Sequence, residues 1–163
     1  MTKNNSRIEK LKTMISKKDN IAEYVLHLWQ LEDVVRAFSK DEALAANQYL
    51  SDLMTMMHSE GVMESGHTQI AAVALQEMEE LHTQLLDQDA MYRAAYLQLL
   101  PQLNILKSRS DNPSQSDIEM MLVFLYNIML LRMKNKELSE ETSAVQQQVS
   151  RLLQHLSKCY KQS

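Results

Sequence analysis

NIAEYVLHLWQLEDVVRAF, residues 20–38, decides the fold class. Ile21, Tyr24, Val25, Leu28, Leu31, Val35 and Phe38 recur at three- and four-residue spacings, the period of a helix and not of a strand. Asn20, followed three residues later by Glu23, makes a capping pair at its start. Ser39 and Glu42 repeat that signal and open a second predicted helix, with Leu44, Leu50, Leu53, Met54 and Met57 on one side. Gly61 then stands where a left-handed stop is wanted. A third helix is predicted from Ser65 or Gly66, carrying Ile70, Val73, Ala74, Met78, Leu81 and Leu85. Residues 87–89 separate it from a fourth at roughly 89–108, where Pro101 predicts a kink near Leu97. The run SRSDNPSQS, residues 108–116, reads as a loop. Ser116 with Glu119 opens a fifth helix, and Ser139 caps a sixth that ends near Tyr160. The expectation is an all-α, single-domain bundle of about six antiparallel helices. The fifth contains MMLVFLYNIMLL, residues 120–131, and is apolar nearly all round, so it is predicted to be central.

Composition agrees. The 163 residues suit one domain, and hydrophobic residues are 45% of them. Glycine and proline number two each, far below the usual ~12% pooled share, which argues against a turn-rich sandwich or barrel. With two glycines, no glycine-built phosphate cradle can be assembled. The longest apolar run has Asn127 inside it and is shorter than the ~20 residues a membrane span needs, so no transmembrane segment is expected. A lone Cys159 excludes an internal disulfide. With no apolar secretory segment, that reads as a cytoplasmic protein.

Charge is unevenly spread. Residues 1–18 hold Lys3, Arg7, Lys10, Lys12, Lys17 and Lys18 against Glu9, a net of +5. They are read as a basic arm or short helix with Ile8, Leu11 and Ile15 on one side, and residues 19–163 as the bundle. Residues 41–92 hold ten acids and no Lys or Arg, so the second and third helices read as one acidic hairpin. The arm is expected to lie back on that hairpin or to fray. No aromatic is interleaved in the arm and the body is acidic, which disfavours nucleic acid.

Three groups of residues can carry chemistry. The stretch 58–67 gathers His58, Glu60, Glu64 and His67 with both glycines, and imidazoles and carboxylates are zinc or iron ligands. Against this stands an ordinary helix stop at Gly61. On the first helix, Glu23, His27, Trp29, Glu32 and Arg36 lie on or beside the apolar stripe, and with Arg132 they can line a polar pocket. Glu32 falls among apolar neighbours, so it must be protonated or paired, and Arg36 or Arg132 is the predicted partner. Last, His155 and Cys159 are four apart, but no third group near them in sequence supports a nucleophile, so no catalytic residue and no cofactor are assigned. The Glu79/His82 pair repeats the Glu64/His67 spacing fifteen residues on, about 22 Å along a helix, too far to share one site.

The segments NIAEYVLHLWQLEDVVRA (20–37), SEGVMESGHTQI (59–70), LPQLNILKSRS (100–110) and the apolar stretch 118–132 resemble a bacterial helical family called domain of unknown function 4924. WQLED and EGVMESGH are the more specific parts. The resemblance covers most of residues 19–160 and implies an all-helical single domain, with no activity to carry over. The leading expectation is therefore a non-enzymatic module that binds a protein partner or a second copy of itself. The alternative is a metal or small-ligand protein, with its site at the turn 58–67 or in the pocket of the first helix.

Overall fold

The computed structural model describes residues 15–112 and 115–163. Among them are seven helices and no strand: α1 (Ile21–Phe38), α2 (Glu42–Ala46), α3 (Gln48–Glu60), α4 (Gln69–Gln88), α5 (Ala90–Ser108), α6 (Asp117–Met133) and α7 (Glu140–Gln162). The predicted caps at Asn20, Ser116 and Ser139 each accept a backbone N–H three residues on, as a cap should.

Three boundaries differ from the sequence reading. Asp41, and not Ser39, caps the second helix, accepting Ala43 N–H at 2.8 Å, while Ser39 ends α1. The second predicted helix is two, because Asn47 takes an extended conformation, ending α2 and capping Leu50 N–H of α3. The third helix starts at Gln69 and not at Ser65 or Gly66, since Gly66 is left-handed at φ 89° and keeps the turn open for three more residues. α5 continues through Pro101, which has no N–H to offer the Leu97 carbonyl, and Leu97 lies on the exposed side of the helix.

Two cores form. The main one joins Ile21, Val25, Leu28 and Trp29 of α1 to Ala74 and Met78 of α4, Tyr92, Leu99 and Leu103 of α5, Ile118, Met121 and Leu122 of α6, and Val149, Leu152, Leu153 and Leu156 of α7. A smaller one packs Leu31, Val34 and Val35 of α1 on Leu44, Leu50, Leu53 and Met57 of α2 and α3. α1 thus serves both, and α3 and α4 each pack against it. α6 buries its first half, but Leu130, Leu131 and Met133 are exposed, so the helix predicted as central is central only over that half. An all-round apolar sequence does not fix depth when the helix outruns its neighbours.

Polar ties hold the elements in register. Lys17 pairs with Glu77 of α4 at 2.8 Å, and Tyr160 of α7 donates to the same carboxylate. The described end of the basic segment therefore lies on an acidic helix of its own chain. The Ile8 and Leu11 part of the expected stripe lies outside the described residues. Asp117, at the start of α6, accepts from Tyr96 and pairs with Lys107, both of α5. Burial pushes its carboxyl up, but those two bonds outweigh burial and hold it below the ordinary range. A lowered native value means that its stabilisation is present above the ordinary carboxylate range and lost as the pH falls through the lowered value. Asp117→Asn is therefore expected to lower the melting temperature at neutral pH, by an amount that shrinks as the pH falls below the ordinary carboxylate range and through the lowered native value. Melting curves of both proteins across that range check this; a difference that persists in acid would assign Asp117 another role.

Candidate functional site

One turn of α1 and the connection 61–68 are built for each other. Gly61 closes α3 at φ 71°, with Val62 N–H donating back to the Met57 carbonyl, a six-to-one helix stop. Gly66 makes a second left-handed step, and the chain arrives extended at Thr68, the first residue before α4. Glu32 is fully buried there and accepts three bonds. Thr68 N–H and Thr68 Oγ1 donate to Oε2, both at 2.8 Å, and His67 Nδ1 lies 2.7 Å from Oε1. A carboxylate only accepts, so Nδ1 is the protonated ring nitrogen.

The predicted Glu32–Arg pair is therefore wrong, and a histidine and a helix start take its place. Thr68 makes no side-chain cap to α4, because its hydroxyl is spent on Glu32. Glu60 serves the helix instead, accepting Gln69 N–H at 3.2 Å. Both carboxylates sit at the positive end of α4, which favours them. Arg36 does the complementary work. Its guanidinium donates to the carbonyls of Val62 (2.9 Å) and Gly66 and to Asp33 (3.1 Å). Glu32 thus takes the donors of the turn and Arg36, one helical turn on, takes its acceptors. Trp29 stacks on His67, with centroids 4.6 Å apart and planes 19° apart, and meets Tyr126 edge-on at 6.0 Å. Tyr126 in turn donates to Asp33. Glu32 faces no open space, so this network is structural.

The six pocket candidates accordingly divide. Trp29, Glu32 and Arg36 belong to the turn network. Glu23, His27 and Arg132 line an open cavity of about 470 Å³ between α1, α6 and α7, with Gln30, Gln146 and Ser150. Its apolar wall is Leu26, Leu125, Ile128 and Met129, closed at the ends by Ile15, Tyr126 and Met133. Arg132 donates to Gln146 at 2.8 Å across it.

The four predicted metal ligands are not brought together. His58 and Glu64 are exposed, Glu60 caps α4 and His67 is held by Glu32. The Glu79/His82 pair also divides, Glu79 accepting from Ser116 (2.6 Å) and buried His82 bonding Tyr92 (2.6 Å). Burial pushes His82 below its ordinary range, so it is neutral. Among the described residues, the His, Cys and carboxylate atoms that do converge are those of Asp89, His155 and Cys159, within 4.8 Å of one another. The third group that sequence did not supply for the His155–Cys159 pair is Asp89, 2.8 Å from His155 Nε2. It does not make a nucleophile. Burial and then the charge of Asp89 push the thiol up, whereas an attacking cysteine needs its thiolate favoured.

Fold and site together define an all-helical bundle with a buried carboxylate–turn lock and one amphipathic cavity; no described helix is long and apolar enough to cross a membrane. The chain belongs to the family described as Domain of unknown function (DUF4924), whose model matches residues 13–44 and 39–163. The two more specific resembling segments, WQLED and EGVMESGH, are the two that meet in the Glu32–His67 contact. No curated protein and no solved structure matches the chain.

Proposed function

We propose that this chain is a binding protein and not a catalyst, and that the cavity between α1, α6 and α7 takes a small amphipathic anion. The carrying observation is the cavity itself. Its volume of about 470 Å³ is within the range of small-molecule sites, and its apolar wall is accompanied by Glu23, His27, Gln30, Arg132, Gln146 and Ser150. Arg132 offers a fixed positive charge at the rim, and Met129 and Met133 can adapt to an apolar body. The test is a set of melting curves with octanoate, octylamine and octanol. Octanoate at a hundred times its Kd is expected to add about 2.7 kcal/mol, a shift of about 5–10 °C for a chain of this size. Arg132→Ala should reduce that shift and Met129→Trp, which fills the cavity, should remove it. No shift with any of the three ligands, or equal shifts for anion and cation, would sink this reading.

A second reading is association of two copies through the exposed Leu130, Leu131 and Met133 at the same rim. Light scattering that gives a dimer for the parent and a monomer for Leu131→Glu supports it. The in-chain Lys17–Glu77 pair supports use of the basic segment within one chain and not between copies.

A further inference from the structure

We propose that Asp89, His155 and Cys159 form a zinc site with three protein ligands, where the α4–α5 link meets α7. It is independent of the cavity, whose α7 residues are Gln146 and Ser150. His155 and Cys159 lie four apart on one helix, so they project from the same face about one turn apart. Asp89 is the single residue between α4 and α5, which fixes its backbone from both sides.

The ligands are held before any metal arrives. Tyr92 N–H donates to Asp89 Oδ1 at 3.0 Å, which leaves Oδ2 turned towards His155. The Tyr92 ring packs edge-on against the His155 imidazole, at 5.5 Å and 79°. Contacts of this outer kind are what orient the carboxylate and imidazole ligands of metal sites. The donor set of imidazole nitrogen, carboxylate oxygen and thiolate sulfur matches zinc, whereas calcium and magnesium take oxygen alone. With bonds of ~2.0–2.3 Å, tetrahedral ligand atoms lie ~3.3–3.8 Å apart. Atoms up to 4.8 Å apart need close by about 1–1.5 Å, and His155 Nε2 and Asp89 Oδ2, now at 2.8 Å, need open by about 0.5 Å, both within reach of side-chain rotation. On binding, the S–H bond breaks, its proton goes to solvent and the sulfur pair bonds the metal. The proton that His155 Nε2 donates to Asp89 also leaves, to Nδ1 of the same ring or to solvent, and the freed Nε2 and Oδ2 lone pairs each bond the metal. Three ligands leave the fourth position for water or an outside group.

Cys159 is the one cysteine of the chain, so a thiolate signal reports a single atom. The experiment is titration of the full chain with Co²⁺ under reducing conditions, followed by Zn²⁺. The expected result is one cobalt per chain, with a thiolate-to-metal charge-transfer band and tetrahedral visible bands, displaced by zinc. Cys159→Ser should abolish the charge-transfer band. Asp89→Asn, which still accepts Tyr92 N–H and so keeps the cap, should weaken cobalt binding at least tenfold. Absence of a charge-transfer band in the parent, unchanged affinity in Asp89→Asn and His155→Gln, or one cobalt per two chains would each overturn the proposal.

Discussion

Glu32→Ala should lower the melting temperature by roughly 10 °C, the largest effect expected from any polar residue here. A buried donor left without its acceptor typically costs about 1–3 kcal/mol, and this change strands two of them. For a chain of this size each kcal/mol moves the midpoint by about 2–4 °C. The cost has a specific origin. Thr68 N–H and Oγ1 are buried and would lose their acceptor, at 0% residual exposure of Thr68. Arg36 would still tie the connection 61–68 to α1, but its bonds there go to carbonyls and leave those donors bare. Glu32→Gln retains an oxygen for Thr68 and should cost about half as much. His67→Ala, at the exposed edge, should cost about 1–2 kcal/mol for one charge-assisted bond and a stacked ring. Denaturant melts of the three variants check the order. Equal losses for Glu32→Ala and His67→Ala would mean that the histidine, and not the helix start, is the principal partner.

Tyr92→Ala is expected to cost about 3–5 kcal/mol, as loss of a large buried ring does. Tyr92 is fully buried in the main core, and its hydroxyl is the partner of His82. Tyr92→Phe separates the two contributions. It keeps the ring but leaves His82 Nδ1 without a partner in a buried setting, which costs about 1–3 kcal/mol. If Tyr92→Phe were as stable as the parent, the His82–Tyr92 bond would be energetically neutral and the ring alone would matter. Urea unfolding with unchanged m-values is the measurement that makes the comparison valid.

Although Asp41 and Asn47 cap α2 and α3 inside a stretch that reads as one helix, three other side chains that capped their own helices made the start legible. Asn20, Ser116 and Ser139 each did so, and each start was read correctly. Thr68 was missed because its hydroxyl leaves its own helix for a residue 36 positions away, which no local pattern records. The break at Asn47 lies within ALAANQYL, where every residue but the asparagine suits a continuous helix. For the site, burial of Glu32 followed from its place on the stripe. Its partner did not, because a buried carboxylate suggests a cation, while the backbone N–H groups that can also serve it leave no mark in the sequence. Those groups converge only where Gly61 and Gly66 are both left-handed, and that is a property of the folded turn. Two of the three members of the Asp89–His155–Cys159 group are visible as a four-residue spacing, and the third lies 66 residues upstream of His155.

That α1 is shared between two cores sets a timetable for synthesis. Its second half can be covered as soon as residue 60 has emerged, since α2 and α3 follow directly. Its first half waits for α7, and the tie from Ala22 N–H to Ser157 Oγ spans 135 positions. At ~5–20 residues per second, that wait is on the order of ten seconds, during which Ile21, Val25 and Leu28 have no final cover. The nascent chain therefore carries a half-clothed helix from its first turns until α7 has emerged.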